Sequence, residues 1–155
     1  QKIISFSDSG YYVYRTDDQY LIFDAGELGV RYQPGHAHCD YLSYEYSFKG
    51  KRFIVDSGIG NYLPSALRQK ARSIYAHNTL VVNGLDQAEI WKAHRMGRRI
   101  VPGKINVSKD KLQIEADYNN TLNKKLAYYH QRKLTLEDGK YFYIEDTVHC
   151  RNMVS

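Results

Sequence analysis

The chain holds 155 residues, with a formal net charge of +5 and 43% apolar residues. That is the size of one domain with a substantial core, and a mean hydropathy of −0.59 fits no membrane-spanning helix, which needs a run of about 18 apolar residues. Two cysteines, Cys39 and Cys150, exclude a disulfide framework and a CxxC zinc knuckle.

The basic excess suits a polyanionic partner, and it equally suits plain solubility. Lys92, Arg95, Arg98 and Arg99 form a local cluster more pointed than the total charge. The chain starts at Gln1 without a charged-then-apolar leader and stops soon after a strand-like run. Both ends read as cut, so the expectation is a fragment of a longer protein whose targeting signal lies in the missing part.

Apolar and polar residues alternate with period two along most of the chain, which predicts strands. Tyr11 to Tyr14 and Tyr20 to Asp24 form a first hairpin around Thr16-Asp17-Asp18. Leu42, Tyr44, Tyr46 and Phe48 form a half-buried strand, Lys49-Gly50 turns it, and Arg52 to Asp56 returns. The 61–75 region, with Pro64, Ala66, Leu67 and Arg68, reads as a loop with one helical turn. Long connections of this kind tend to carry function. Thr79 to Val82 is a short apolar strand closed by Asn83-Gly84.

Ile100-Val101, Lys104 to Val107 and Lys111 to Ala116 follow, broken at Pro102-Gly103 and Lys109-Asp110. Leu126 to Leu136 and Tyr141 to Val148 pair around Glu137-Asp138-Gly139-Lys140. About ten short strands with turn signals between them predict an all-β, antiparallel two-sheet β-sandwich. Fifteen tyrosines suit such strands, with rings packed and hydroxyls reaching water. Tyrosine is also common in carbohydrate clefts.

The most informative stretch is Gly35-His36-Ala37-His38-Cys39-Asp40. Two histidines at i and i+2 share one face of an extended backbone. Imidazole is a common zinc ligand and titrates near neutral pH, so one segment offers a metal ligand and an acid–base group. Asp56 in Val55-Asp56-Ser57-Gly58 and His77 in Ala76-His77-Asn78-Thr79 are further ligand candidates. Two His and one Asp leave a coordination position open, as in a reactive zinc site. An isolated HxH more often binds nothing.

The register poses a condition. If the strand before Lys49-Gly50 is straight, His38 lies roughly 16–20 Å from Asp56. A shared metal then requires the 34–41 segment to fold back or bulge, which Pro34-Gly35 and a bulge near Asp40 allow. On a straight strand, Asp40 replaces Asp56 as the carboxylate.

The segments Pro34 to Ser43, Phe53 to Gly58, Arg68, Arg72, Ala76 to Leu80, Asn83-Gly84 and Gln87 to Trp91, with Ser5 to Arg15 before them, occur in one order. Together they resemble the C-terminal β-sandwich domain of the heparinase II/III-like polysaccharide lyases. The likeness covers about residues 5–100, and 101–155 add only generic strands. Gln87 to Arg99 resembles relatives encoded with bacterial exopolysaccharide machinery.

The resemblance implies β-elimination on uronic-acid-containing glycans, heparan-type or alginate-type. It implies one Zn2+ or another divalent ion on His38, Asp56 and His77. It implies His36 and Tyr62 as catalytic residues, with Arg72, Asn78 and Trp91 on the substrate. The implied partner is an acidic polysaccharide and no nucleic acid, and the implied location is periplasmic or secreted, in bacteria. The family's N-terminal α/α toroid and further C-terminal strands are missing, so residues 1–155 form half an active site, expected to bind zinc with little turnover alone.

Two other readings stay open. A cupin-like metalloprotein also has an HxH, but expects a Glu three to four residues after the second His, whereas Glu45 follows His38 with six between. A non-catalytic glycan-binding or exopolysaccharide assembly module needs only rings and cations.

Overall fold

The computed structural model describes residues 3–137 and 141–150. The described residues form eleven strands and one short helix. In chain order these are β1 (Ile3–Phe6), β2 (Tyr11–Arg15), β3 (Gln19–Asp24), β4 (Tyr44–Phe48), β5 (Lys51–Ile54), α1 (Ala66–Arg72), β6 (Ala88–Trp91), β7 (Arg95–Arg99), β8 (Val101–Ser108), β9 (Gln113–Asn120), β10 (Tyr128–Leu136) and β11 (Phe142–Cys150). They build a five-stranded sheet in the order β1-β2-β3-β4-β5, a four-stranded sheet in the order β11-β10-β9-β8, and a β6–β7 ribbon. Every pairing is antiparallel.

The alternation seen in the sequence is what closes the sandwich. Along β10 buried and half-buried residues alternate without a break. Ile114, Ala116, Tyr118, Tyr128 and Leu134 point inward from the four-stranded sheet and join Tyr14, Leu21, Phe23 and Leu42 in one core. Burying such side chains is the main stabilising term.

The tyrosines inside keep their hydroxyls satisfied. Tyr118 and Tyr128 hydroxyls lie 3.1 Å apart, and the Tyr41 hydroxyl donates to the Asp117 carbonyl at 3.2 Å. Buried Gln87 donates to the Tyr41 carbonyl and accepts from its amide, each at 2.9 Å, as a strand neighbour would.

Four local expectations shift. Thr79 to Val82 forms no strand; Val82 makes a lone bridge to Leu85 across the Asn83-Gly84 turn. Leu42 is not a strand residue, because it sits at φ 64 in a turn and β4 begins at Tyr44. The single helical turn expected in 61–75 is a seven-residue helix, started by the Ser65 hydroxyl accepting from the Arg68 amide at 3.1 Å. Residues 101–107 form one strand rather than two, with a register shift across Pro102-Gly103-Lys104. A Cβ at Gly103 would lie 2.6 Å from the Asp117 carbonyl oxygen, so only glycine allows that shift. Most of the turn expected at 137–140 lies outside the described residues.

Candidate active site

The segment between β3 and β4 folds back on itself, as a shared site requires. Pro34–His36 form a short 3-10 turn, closed by the Ala37 amide on the Pro34 carbonyl at 3.1 Å. The Cys39 amide then donates to the Arg72 carbonyl at 2.9 Å, and the Ser43 amide to the Asp40 carbonyl at 2.9 Å. The left-handed Leu42 completes the reversal. His38 is thereby laid beside His77, their ring centroids 5.2 Å apart. Donor atoms of His38, Asp40 and His77 all lie within 4.8 Å of one another.

Asp56 reaches the same place from the end of β5. Its Oδ2 lies 2.7 Å from Nδ1 of His77. The other ring nitrogen, Nε2, is buried without a hydrogen-bond partner. An orphaned imidazole nitrogen next to a second imidazole and a carboxylate is a donor set that fits a divalent cation. A carboxylate on the far nitrogen is the arrangement that fixes a ligating histidine. Both candidate carboxylates thus meet at His77, Asp40 within the donor group and Asp56 on Nδ1 of the ring.

The electrostatics agree with that arrangement. Burial, helped by the nearby His77 and Arg68, pulls His38 down to about 4, so its ring is neutral at physiological pH. Its Nε2 lies 3.1 Å from Nη1 of Arg68, which can only donate. Burial also pulls on His77, but the Asp56 hydrogen bond and the Asp40 charge outweigh it and raise its pKa. Burial resists ionisation of Asp56, yet the bonds from His77 and the Gly58 amide hold its pKa below the usual carboxylate range. Asp24 is raised to about 7 by burial and by the Asp40 charge.

His36 is exposed to solvent and lines one cleft with His38 and Asp40. Its ring meets Tyr62 edge-on at 5.2 Å and lies 6.1 Å from His94. Tyr62 is 53% exposed, with the Arg68 guanidinium 5.2 Å from its ring. His94 Nε2 donates to the Tyr62 carbonyl at 2.8 Å and ties the 61–65 loop to the β6–β7 ribbon. An open cleft of about 540 Å³ runs past His36, His38, Asp40, Tyr11 and Asp24.

Three expected substrate contacts have different surroundings. Arg72 is wholly buried, and its guanidinium donates to five backbone carbonyls: Pro34, Ala37, Lys92, Ala93 and Arg95. It holds the 34–37 loop against the ribbon and faces no solvent in this domain. The Asn78 amide donates to the Tyr44 and Val55 carbonyls at 3.0 Å each, joining the ends of β4 and β5. Trp91 is 55% exposed at the end of β6.

The expected set of site residues left out Arg68, 1% exposed, which touches both His38 and Tyr62. It also left out Arg132 on β10. Arg132 donates to the Leu42 and Asn78 carbonyls at 2.8 and 2.7 Å while paired with Asp146, so the second sheet fixes both histidine-bearing loops. Arg68 carries a sequence signal, its place in the ordered motifs. Arg132 carries none, because it lies among generic strand residues.

Comparison with known proteins decides the family. The profile for the heparinase II/III-like C-terminal domain matches residues 1–152. The chain belongs to the heparinase II/III-like family.

Solved structures of similar fold include a heparinase III gene product, with a TM-score of 0.68 at 22% identity over 96% of this chain. The heparan sulfate lyase HepC from Pedobacter heparinus gives 0.65 at 21% identity over 94%. A second heparinase III structure gives 0.64 at 23% identity over 93%. This heparinase II/III-like chain spans 22% of the length of each of these neighbours. A search of curated proteins finds no match. The cupin-like alternative falls with the family. Glu45, the residue nearest to the cupin pattern, is instead half-exposed on β4 and paired with Arg52 at 2.5 Å.

Proposed function

We propose that this domain supplies one wall of the active site of a lyase that cleaves uronate-containing glycans by β-elimination. The observation that carries the reading is the convergence of His38, Asp40 and His77 within 4.8 Å, with an exposed His36 lining the same cleft as His38 and Asp40. His38, His77 and a carboxylate from Asp40 or Asp56 would hold a zinc or similar divalent ion, with Asp56 bonded to His77. Such an ion would supply fixed positive charge and hold the histidine loop in place.

The chain's own residues account for the rest. The C5 proton of a uronate is a poor acid while the neighbouring carboxylate is anionic. His36, the exposed imidazole in the same cleft, donates a hydrogen bond to that carboxylate and draws off charge as the carbanion develops. Tyr62, in contact with His36, is the acid–base group this chain offers. The C5–H bond breaks toward the base, the C4–C5 double bond forms, and the C4–O bond breaks. The leaving oxygen takes up a proton. The products are an unsaturated uronate and a new chain end. Buried Arg68 holds the Tyr62 ring and His38 in register.

The remainder of the active site lies on a part of the protein beyond this chain, packed against the His36 side. Its substrate is an acidic polysaccharide met in the periplasm or outside the cell.

The test uses the complete protein, with a panel of heparan sulfate, heparin and alginate. New near-ultraviolet absorbance from an unsaturated uronate is expected on one of them, and elemental analysis is expected to find one divalent ion per chain. His36→Ala is expected to abolish turnover. Binding of a glycan by the wild type with no new absorbance on any of them overturns the lyase reading in favour of a glycan-binding module.

A further inference from the structure

A second recess opens on the other side of His36. It has a volume of about 490 Å³ and is lined by Tyr32, Gln33, His36, Trp91, His94 and Arg95 among others. That volume is within the range of small-ligand sites, about 300–1,000 Å³. Two aromatic residues stand at its edge in contact with water: Tyr32 is 88% exposed and Trp91 55%. Rings left in water beside a cation are unfavourable as packing and suit a partner with one apolar face and one anionic group.

The ribbon holds Trp91 as a platform. A Cβ on Gly97 would lie 2.5 Å from Cζ2 and 2.8 Å from Cε2 of Trp91, so the indole rests directly on the glycine backbone. The ring still keeps 55% of its surface exposed there. Trp91 pairs with Arg95 across β6 and β7, which sets the exposed Arg95 beside the indole. Both walls are rigid, because the Arg72 guanidinium holds the Pro34 and Ala37 carbonyls of one and the Lys92, Ala93 and Arg95 carbonyls of the other.

We propose that this recess is a glycan subsite, in which an anionic sugar ring stacks on Trp91 and pairs its carboxylate or sulfate with Arg95 while the neighbouring ring lies at His36. The subsite rests on the lyase reading for the identity of the polymer, and on the Trp91–Gly97–Arg95 geometry for its place. Tyr32 closes the outer side of the stacked ring. Carboxylate and sulfate are the two anions that such a glycan presents.

The experiment measures binding and turnover separately in the complete protein. Binding is measured in the turnover-free His36→Ala background with size-fractionated heparin oligosaccharides, by calorimetry. Trp91→Ala and Arg95→Ala are each expected to weaken binding about tenfold, and Trp91→Phe to restore most of it. Carboxyl-reduced and desulfated oligosaccharides identify the anion: the one that loses the Arg95→Ala effect lacks the group that Arg95 recognises.

Unchanged affinity in both Trp91→Ala and Arg95→Ala overturns the subsite, even if the wild type makes unsaturated uronate. Weakened binding in a wild type with no turnover keeps the subsite and ends the lyase reading. A loss of binding matched by a fall in melting temperature in Trp91→Ala and Trp91→Phe alike assigns the ring to packing against the rest of the protein, and overturns the subsite as well.

Discussion

His77 illustrates how much one side chain can decide. Its Nδ1 is held by Asp56 at 2.7 Å, while Nε2 is buried with nothing to bond. A buried, unsatisfied nitrogen costs about 1–3 kcal/mol, a penalty that a bound ion would remove. His77→Ala is therefore expected to abolish stoichiometric zinc binding in equilibrium dialysis. Asp56→Asn is expected to weaken it about 10–100-fold, because it only frees the ring that Asp56 orients. Equal loss in both variants would make Asp56 a direct ligand. Arg72 makes the complementary case. Arg72→Met removes the donor that five loop and ribbon carbonyls share and is expected to lower stability by about 3 kcal/mol or more in urea denaturation.

Among the elements, the strands were the easiest to read and the loops the hardest. The alternation in β2, β3, β9 and β10 reports burial on one face, which is a local property of sequence. The reversal at Leu42 is not local in that sense. A leucine at φ 64 obeys no turn signature and is held by its buried side chain and by its amide on the Asp24 carbonyl at 2.8 Å. The fate of Arg72 was equally hidden, since nothing in an arginine's neighbours tells a buried clamp from an exposed contact.

The meeting of His38 with His77 was legible to the extent that both are residue types suited to one cation. The places of Asp40 and Asp56 around His77 were not, because they depend on how the 34–43 segment folds back. Helix α1 depends on its cap, and Ser65→Ala is expected to cost about 1 kcal/mol and to raise exchange of the Arg68 amide, read by hydrogen-exchange mass spectrometry.

At the scale of the molecule, the two sheets meet through Arg132. It is 5% exposed, paired with Asp146 on β11 and bonded to both loops of the site. Burial resists ionisation of Asp146, but the bonds from His130 and Arg132 bring its pKa down to about 2. An unfolded aspartate titrates near about 3.9. The stability it contributes is therefore complete above that value and is lost as pH falls through about 2. Asp146→Asn is expected to flatten the acid limb of a melting-temperature profile over that window while lowering the plateau at neutral pH.

The proposed ion would act on the same global equilibrium. A cation that binds only the folded chain, present at about 100 times its Kd, adds about 2.7 kcal/mol. A chelator is thus expected to lower the melting temperature of the wild type and leave that of His77→Ala unmoved in calorimetry.

The carbonyl clamp of Arg72 has an evolutionary corollary. All five of its acceptors are main-chain oxygens, present whatever side chains occupy those positions. Residues lining the two gripped loops are then free to diverge, provided that the guanidinium stays. A lineage can change the side chains along those loops without having to reinvent the scaffold that presents them.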